Sequence, residues 1–295
     1  MVRTISLIGA PSSAGAYGPG QEAAPAALRR HGIVAELGSD RRKVVDRGDG
    51  PVVHWRRDQA SPTAANADLV VKVARTLAEA VAKAFADDHD MVVLGRDCTV
   101  ELGTVAGAIR DGASVGLAYV DLDADLKTPL TGDGILDWMG VAHIVGAEGT
   151  HAELASLAGR RPMLVARAVR LFATKNITDS EQRLIDDAGI EVEPLQVVTD
   201  SMAAVASRTG EWAGTFDRLL VHVDVDVLDF EKFPIAENTD HRGGLDLSQL
   251  TELLVMLCRQ PNWRALTLCE VNPDHAPDPE RSIARIVDML AEALG

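Results

Sequence analysis

The sequence predicts a single layered α/β domain built on a parallel sheet. Short apolar runs rich in Val, Ile and Leu recur along the chain, and longer Ala-rich stretches with helical periodicity separate them. Near-continuous apolar runs of this length are typical of strands buried on both faces of a parallel sheet. The 295 residues contain 46% hydrophobic and 25% charged residues without a break in composition, which suits one large domain covering residues 1–295.

The pattern assigns the elements as follows. Strands are predicted at residues 5–10, 91–95, 115–123, 163–167, 219–226 and 265–272. Helices are predicted at residues 66–86, 180–188 and 278–293. Loops rich in Gly and Pro follow strands at 9–25, 127–140 and 229–245. Because ligands bind beyond the carboxyl ends of the strands in open α/β sheets, the functional site is expected among these loops.

Charge and apolar length exclude several classes of partner. The formal net charge of −15 repels nucleic acid and anionic membranes, so neither is an expected partner. The longest apolar runs are strand-sized, far short of a membrane span. The N-terminus lacks the long apolar region of a signal peptide, and three cysteines do not make a disulfide framework. We therefore expect a cytoplasmic protein with reduced thiols.

Two groups of aspartates mark the expected site. Asp121, Asp123 and Asp125 end one apolar strand, and Asp224 and Asp226 end another. Alternate residues of a strand share a face, so each run is predicted to project its carboxylates to one side. Five like charges in apolar surroundings are costly unless they bind cations. Oxygen ligands favour Mn²⁺ or Mg²⁺, and two bridged ions can hold a hydroxide for hydrolysis.

These motifs resemble those of the arginase/agmatinase ureohydrolases, which read roughly GGDHS, DAHxD and SxDxDxxDP. The corresponding segments here are GRDCT at 95–99, DLDAD at 121–125 and HVDVDVLDF at 222–230. The glycine-containing opening at 8–29, Thr128 and Pro129, GGL at 243–245 and EVNP at 270–273 extend the resemblance over nearly the whole chain. The resemblance implies a three-layer α/β/α domain around a mainly parallel eight-stranded sheet, two Mn²⁺ ions, a small guanidino substrate and a possible homo-oligomer.

The resemblance also implies roles for individual residues. Asp121, Asp125, Asp224 and Asp226 fall at metal-ligand positions of the family. Glu181, Thr239 and Glu270 fall where the family contacts the amine and guanidine ends of its substrate. The leading hypothesis is therefore a hydrolase that uses a metal-bridging hydroxide to cleave a linear amidine, with Asp125, Asp137 and Glu270 as candidate catalytic residues.

Four substitutions set this sequence apart from the family pattern. Cys98 stands at the first histidine ligand and Asp123 at the second, so both join the candidate metal ligands. Cys98 is either a thiolate ligand or a small buried hydrophobe. Asp137 or Trp138 replaces the proton-shuttling histidine, and Asp137 is either a proton relay or a solvated capping residue. Lys127 replaces an asparagine that meets the substrate carboxylate, and it either pairs with that carboxylate or offsets surplus charge.

These departures favour an activated substrate. An anionic ligand set weakens the Lewis acidity of the ions and raises the pKa of bound water. A missing general acid or base typically costs about 10² to 10⁴ in rate. A hydroxyguanidine is a more activated substrate than a guanidine, so its hydrolysis depends less on strong Lewis acidity and on a general acid or base. The pattern partly resembles the Nω-hydroxy-L-arginine hydrolase of D-cycloserine biosynthesis, which has the same cysteine but keeps a histidine at the position of Asp123. Hydroxyurea, rather than urea, would then be released.

Two other classes of function compete with this hypothesis. One is a catalytically impaired protein that keeps the fold and acts by binding or assembly. The other is a phosphatase of the haloacid dehalogenase type, which DLDAD superficially resembles. That class places its first D-x-D motif near the N-terminus and requires further motifs that this sequence does not supply. Of the histidines, His222 has the most suggestive position, either as an added nitrogen ligand or as a core residue one layer below the aspartates.

Overall fold

The computed structural model describes residues 3–18, 21–40 and 42–295. Within these residues, strands β1 to β8 are Arg3–Gly9, Arg42–Asp49, Asp90–Leu94, Val115–Val120, Val169–Thr174, Glu191–Pro194, Arg218–Asp224 and Trp263–Cys269. Helices α1 to α11 are Ala24–Arg30, Ile33–Glu36, Ala67–Ala86, Val100–Ala108, Gly140–Ile144, Ala152–Ala155, Asp179–Ala188, Leu195–Asp200, Met202–Ala213, Leu247–Cys258 and Pro279–Leu294. No described helix is both long enough and apolar enough to cross a membrane.

The strands form one sheet in the order β2-β1-β3-β8-β7-β4-β5-β6, and every pair is parallel. The predicted eight-stranded parallel sheet is therefore confirmed. Strands such as β3 and β4 are buried along their whole length, which explains why their sequences are apolar throughout rather than alternating.

Helices cover both faces of the sheet, as the three-layer prediction requires. Alternate residues of each strand enter separate cores, so that Val92 and Leu94 pack on one side and Met91 and Val93 on the other. One core includes side chains from α1, α2 and α8 to α11, and the other includes side chains from α3 to α7. The fold is a three-layer α/β/α domain.

The predicted strand at 163–167 is wrong, because the strand begins six residues later, at Val169. Its second residue is Arg170, a charge that interrupts the apolar pattern. The Arg170 guanidinium is buried and forms ion pairs with Glu191 and Glu193 of β6. The charge is thus paired with the neighbouring edge strand, which offsets part of the cost of burying it.

The edge strands β2 and β6 did not emerge from the apolar pattern, because they are short or charged and only partly buried. The helical periodicity was more informative. The predicted helices at 66–86, 180–188 and 278–293 agree with α3, α7 and α11 to within one residue at each end.

The sheet order determines where the functional segments meet. Strands β3, β8, β7 and β4 are consecutive neighbours in the sheet, and they are parallel. Residues 95–99, 270–273, 224–226 and 121–125 follow or end these four strands. Four segments that are distant in sequence therefore converge at one edge of the sheet, the edge where open α/β folds bind ligands.

Close packing of α3 against α4 depends on a glycine. A Cβ atom at Gly107 would lie 2.6 Å from the carbonyl oxygen of Ala78 and 2.7 Å from Cβ of Val81. We expect Gly107→Ala to lower the free energy of unfolding by about 1–3 kcal/mol through overpacking. Gly210→Ala in α9 is the control, because its Cβ would approach Gln260 no closer than 3.8 Å, and we expect it to stabilise by about 0.5–1 kcal/mol. Equal stability of both variants in urea titrations would contradict this account.

Candidate metal centre

A small acidic cavity of about 30 Å³ lies at the carboxyl edge of the sheet. Its walls bring together most of the predicted site residues. The cavity is lined by Tyr17, Cys98, Asp121, Asp123, Asp125, Asp137, Trp138, Asp224, Asp226, Asn238 and Glu270. The five aspartates predicted as metal ligands therefore share one pocket with Glu270 and the Cys98 thiol. Asp137 lines the same pocket.

Each D-x-D pair forms the same local turn at the end of its strand. The first carboxylate accepts a hydrogen bond from the backbone N–H of the second residue, 2.7 Å from Asp121 Oδ1 to Asp123 N and 2.7 Å from Asp224 Oδ1 to Asp226 N. These carboxylates do face one cavity, but strand alternation is not the cause, because Asp123 and Asp226 lie beyond the ends of β4 and β7. Short aspartate side chains favour such turns because they bond to their own backbone.

The two turns bring their carboxylates close together. Carboxylate oxygens of Asp121, Asp224 and Asp226 lie within 4.8 Å of one another. All three residues are buried. Burial and the neighbouring negative charges raise the pKa values of Asp121 and Asp224 well above their usual range. In the absence of a cation, these groups therefore retain protons that they would lose in water.

Two other acidic residues of the cavity have unusual backbone conformations. Asp125 has φ 52° and Glu270 has φ 63°, in the left-handed region that residues other than glycine rarely adopt. The Tyr119 hydroxyl donates a hydrogen bond to Asp125 Oδ2, and the Glu270 N–H donates to the Arg96 carbonyl oxygen at 2.6 Å. Such strain persists only where the surroundings hold it, and it is common at functional sites.

Cys98 contacts the aspartates directly. Its thiol donates a hydrogen bond to Asp224 Oδ2 at 3.0 Å, and its sulfur lies within 4.8 Å of carboxylate oxygens of Asp121 and Asp125. Burial, the neighbouring Cys269 thiol and the Asp224 charge raise the pKa of Cys98 well above its usual value. The residue is therefore a thiol in the absence of a cation, in a position where a bound ion would deprotonate it.

Asp137 is a buried residue of the cavity wall, so the interpretation as a solvated loop residue is wrong. Its Oδ1 accepts a hydrogen bond from the Cys98 backbone N–H at 2.7 Å, which fixes the thiol loop. Burial, together with the charge of Asp97, raises the pKa of Asp137 to about 8. A carboxyl group with this pKa exchanges its proton near neutral pH, as a general acid or base must.

A larger cavity of about 250 Å³ adjoins the acidic one, and both are lined by Asp123 and Trp138. The other lining residues are Lys127, Asn176, Ile177, Thr178 and Glu181. The Lys127 ammonium lies 5.1 Å from the centre of the Trp138 ring, within range of a cation–π interaction. A cation therefore stands at the wall of a cavity next to the carboxylates.

Glu181 has a structural role in addition to the substrate contact that the family resemblance implies. Its carboxylate accepts hydrogen bonds from Thr178 N at 3.0 Å and from Leu126 N at 3.2 Å. The first bond completes the capping box of α7. The second fixes the segment just after Asp125. Thr239, in contrast, is exposed and lines neither cavity.

His241 is a functional candidate that sequence reasoning missed. Its Nδ1 lies 3.2 Å from Asp226 Oδ2, and its Nε2 lies 3.6 Å from Asp123 Oδ2. Burial lowers the pKa of His241, but the hydrogen bond to Asp226 and the two carboxylate charges outweigh burial and raise it to about 9. The only available signal was its place in a loop after a strand, since no spacing links it to the aspartates.

The chemistry of these donors fits divalent cations. Asp226 Oδ1 and Glu270 Oε1 are buried, and neither has a hydrogen-bond partner in the described part of the chain. Unpartnered buried carboxylate oxygens are costly, and a bound cation removes the cost. A donor set dominated by carboxylates suits hard ions such as Mn²⁺ and Mg²⁺.

Comparisons with known proteins agree with this fold. The sequence profile of the Arginase family matches residues 3–295. The chain is 25% identical to an arginase of Bacillus subtilis over 98% of both chains, and 28% identical to arginase-1 of Rattus norvegicus over 94% of this chain and 87% of the other. The crystal structure of the Bacillus caldovelox arginase superposes with a TM-score of 0.89 at 23% identity, covering 99% of this chain and 98% of that one. The chain belongs to the Arginase family.

The acidic cavity predicts an inverse dependence of stability on pH when divalent ions are absent. Because the folded-state pKa values of Asp121, Asp224 and Asp137 are raised, the stability that they contribute at low pH is lost as pH rises, and for Asp137 this loss is nearly complete above about pH 8. From Asp137 alone, we expect a loss of about 2 kcal/mol in unfolding free energy between roughly pH 6.5 and pH 8.5. Urea titration of chelator-treated protein measures it.

Mn²⁺ should reverse this trend, because the carboxylates release their protons when they bind a cation. The thermal shift caused by Mn²⁺ is therefore expected to be larger at the higher pH. Asp121→Asn should abolish the shift, whereas Asp187→Asn on the exposed face of α7 should leave it unchanged. A metal-independent stability at both pH values would argue against a cation site.

Proposed function

We propose that this protein is a metal-dependent hydrolase of a linear guanidino compound. The substrate would be an arginine-like amino acid such as Nω-hydroxy-L-arginine, and the products would be an amine plus urea or hydroxyurea. The observation that carries the proposal is the convergence of Asp121, Asp123, Asp125, Asp224 and Asp226 in one buried cavity of an Arginase-family fold.

Two divalent ions, of which Mn²⁺ is the proposed physiological choice, would occupy the acidic cavity. Cys98, Asp121 and Asp125 form one group of close ligand atoms, and Asp121, Asp224 and Asp226 form another. Asp121 is common to both groups, so it would supply ligand atoms to both ions. Such ions supply Lewis-acid activation of water for attack on the guanidino carbon.

Protein groups around the ions suit a cationic guanidino group. Glu270 lines the acidic cavity, and its Oε1 is buried without a partner in the described residues. Burial and the nearby charge of Asp137 raise the pKa of Glu270 well above its usual range. A guanidinium donates paired hydrogen bonds to a carboxylate, so its arrival would allow Glu270 to ionise and would orient the carbon to be attacked.

The neighbouring cavity suits the other end of an amino-acid substrate. Lys127 is the cation among its lining residues, and Asn176 and Thr178 provide further polar atoms. We propose that Lys127 pairs with the substrate carboxylate. Asp137, which titrates near neutral pH, would deliver a proton to the departing amine in place of the family histidine.

A substrate screen with the Mn²⁺-loaded protein tests the proposal. Arginine, Nω-hydroxyarginine, agmatine, guanidinobutyrate and formiminoglutamate are compared by release of urea, hydroxyurea or amine. We expect the fastest turnover with Nω-hydroxyarginine, and we expect Glu270→Gln to reduce kcat/KM by about 10²-fold or more through lost orientation of the guanidino group. A protein that binds Mn²⁺ but hydrolyses none of these compounds would be a non-catalytic binding protein, and the proposal would fail.

Lys127→Met separates binding of the two substrate ends. Loss of a charged hydrogen bond is expected to raise KM about 10- to 100-fold for substrates that carry a carboxylate. Agmatine, which has no carboxylate, should be unaffected. Lys83→Met on the exposed face of α3 is the matched control. A uniform change across all substrates would instead indicate that Lys127 only offsets charge.

A further inference from the structure

A second cluster of metal-binding side chains lies directly beneath the aspartates. Cys98, His222 and Cys269, here called the thiol–imidazole cluster, come from the segment after β3, from β7 and from the end of β8. At most 2% of each residue is exposed. Their sulfur and nitrogen atoms lie within 4.8 Å of one another. The proposed hydrolase chemistry uses Cys98 but neither His222 nor Cys269.

The distances around the Cys98 sulfur are equal to or slightly shorter than those between neighbouring ligands of a tetrahedral metal site. The Cys98 sulfur is 3.3 Å from His222 Nε2 and 3.0 Å from Asp224 Oδ2. In a tetrahedral zinc site with bonds of about 2.0–2.3 Å, neighbouring ligand atoms are roughly 3.3–3.8 Å apart. Small outward adjustments of these side chains would therefore accommodate an ion with two sulfur, one nitrogen and one oxygen ligand.

Glu101 supplies an independent indication that His222 binds an ion. Glu101 Oε2 lies 3.4 Å from His222 Nδ1, and both residues are fully buried. Neither carboxylate oxygen of Glu101 has a hydrogen-bond partner in the part of the chain that the structure describes. A carboxylate facing Nδ1 keeps the proton on that nitrogen and leaves the Nε2 lone pair directed at the Cys98 sulfur. Metal-binding histidines almost always have such a partner.

The His222 ring is also held in a fixed plane. It stacks on the Tyr119 ring with centroids 4.1 Å apart and planes 12° apart. Relative to the motifs that the sequence resembles, the imidazole stands at 222 in place of serine and the thiol stands at 98 in place of histidine. The two substituted side chains contact each other through His222 Nε2 and the Cys98 sulfur. An imidazole nitrogen therefore still lies next to the aspartates, although residue 222 supplies it instead of residue 98.

We propose that Cys98, His222 and Cys269, with Asp224 as the fourth ligand, bind one thiophilic divalent ion of the Zn²⁺ class. Thiolate and imidazole ligands select softer ions than carboxylates do. This would change the assignment of Mn²⁺ to both positions: the position beside Cys98 would take the softer ion, and the remaining aspartates would hold the harder one, so the centre would contain two different metals. The proposal rests on the proposed function only in that Cys98 and Asp224 belong to both sites.

Cobalt substitution tests the proposal without an activity assay. Co²⁺ bound by thiolates absorbs in the near ultraviolet through sulfur-to-metal charge transfer. We expect this band when Co²⁺ is added to the metal-free full-length protein, and we expect Zn²⁺ to abolish it. Cys269→Ser should reduce the band by about half, since two thiolates contribute. Cys258→Ser, at the buried end of α10, should leave it unchanged.

Two further variants separate this site from the hydrolase. Glu101→Gln should weaken Zn²⁺ binding about 10- to 100-fold through the loss of the His222 partner, while the sulfur band remains at saturating Co²⁺. Asp226→Asn should abolish any hydrolase activity but keep the band. A band without turnover of any substrate would refute the hydrolase and support the Zn²⁺-class site. Binding of Co²⁺ without a sulfur band, or a band of full intensity in Cys269→Ser, would overturn the site, because Cys98 alone can contribute a thiolate to the hydrolase ions; turnover of the substrates then tests the hydrolase separately.

A measurement on the unmodified protein covers the case in which the cysteine variants fail to fold. Bound Zn²⁺ should slow alkylation of Cys98 and Cys269 in sub-denaturing urea by at least tenfold relative to Cys258, as mapped by peptide mass spectrometry. Mn²⁺ should not produce this difference. Equal protection of all three cysteines would reflect general stabilisation and would contradict the proposal.

Discussion

Electrostatic repulsion among buried carboxylates is the constraint on which the site depends. Parallel pairing of β3, β8, β7 and β4 directs four acidic segments to the same edge of the sheet. The surrounding apolar core leaves little water to screen their charges. The sheet therefore creates an energetic cost that only protons or cations remove. Burial of the carboxylates is tolerable because the fold gains its stability elsewhere, in the two helical layers.

The chain also supplies positive charge of its own to this region. His241 stands between Asp123 and Asp226 on the outer side. Arg96 is fully buried on the inner side, where the family motif has glycine, and its charge lowers the pKa values of Asp137 and Glu270 against the larger effect of their burial. These two cations partly offset the carboxylates of the cavity, including Asp123, which replaces a family histidine. The substitutions thus form a consistent electrostatic set rather than isolated losses.

The apolar pattern was sufficient for the α/β class and most interior strands because burial on both faces leaves a strong apolar signal, and the eight-stranded three-layer arrangement was predicted from the family resemblance. The apolar pattern failed at Arg170, because this buried charge is paired with glutamates of the neighbouring strand. It also failed at the edge strands, because partly exposed strands do not need apolar residues throughout. The aspartates were recognisable because carboxylates at the ends of apolar strands are rare. His241 and Glu101 were not, because their significance lies in contacts with residues at sequence separations that no local pattern encodes.

The two hydrogen-bonding roles of Glu181 link the stability of helix α7 to the order of the loop that contains Lys127. One carboxylate starts helix α7 and also holds the Leu126 amide, next to Lys127. Fraying of the first turn of α7 would release the Leu126 amide and with it the loop that carries Lys127. The helix–coil equilibrium of α7 is therefore coupled to the order of this loop. Substitutions far along α7 that alter its helical propensity would then tune ligand affinity through the entropy of this loop, without touching the ligand.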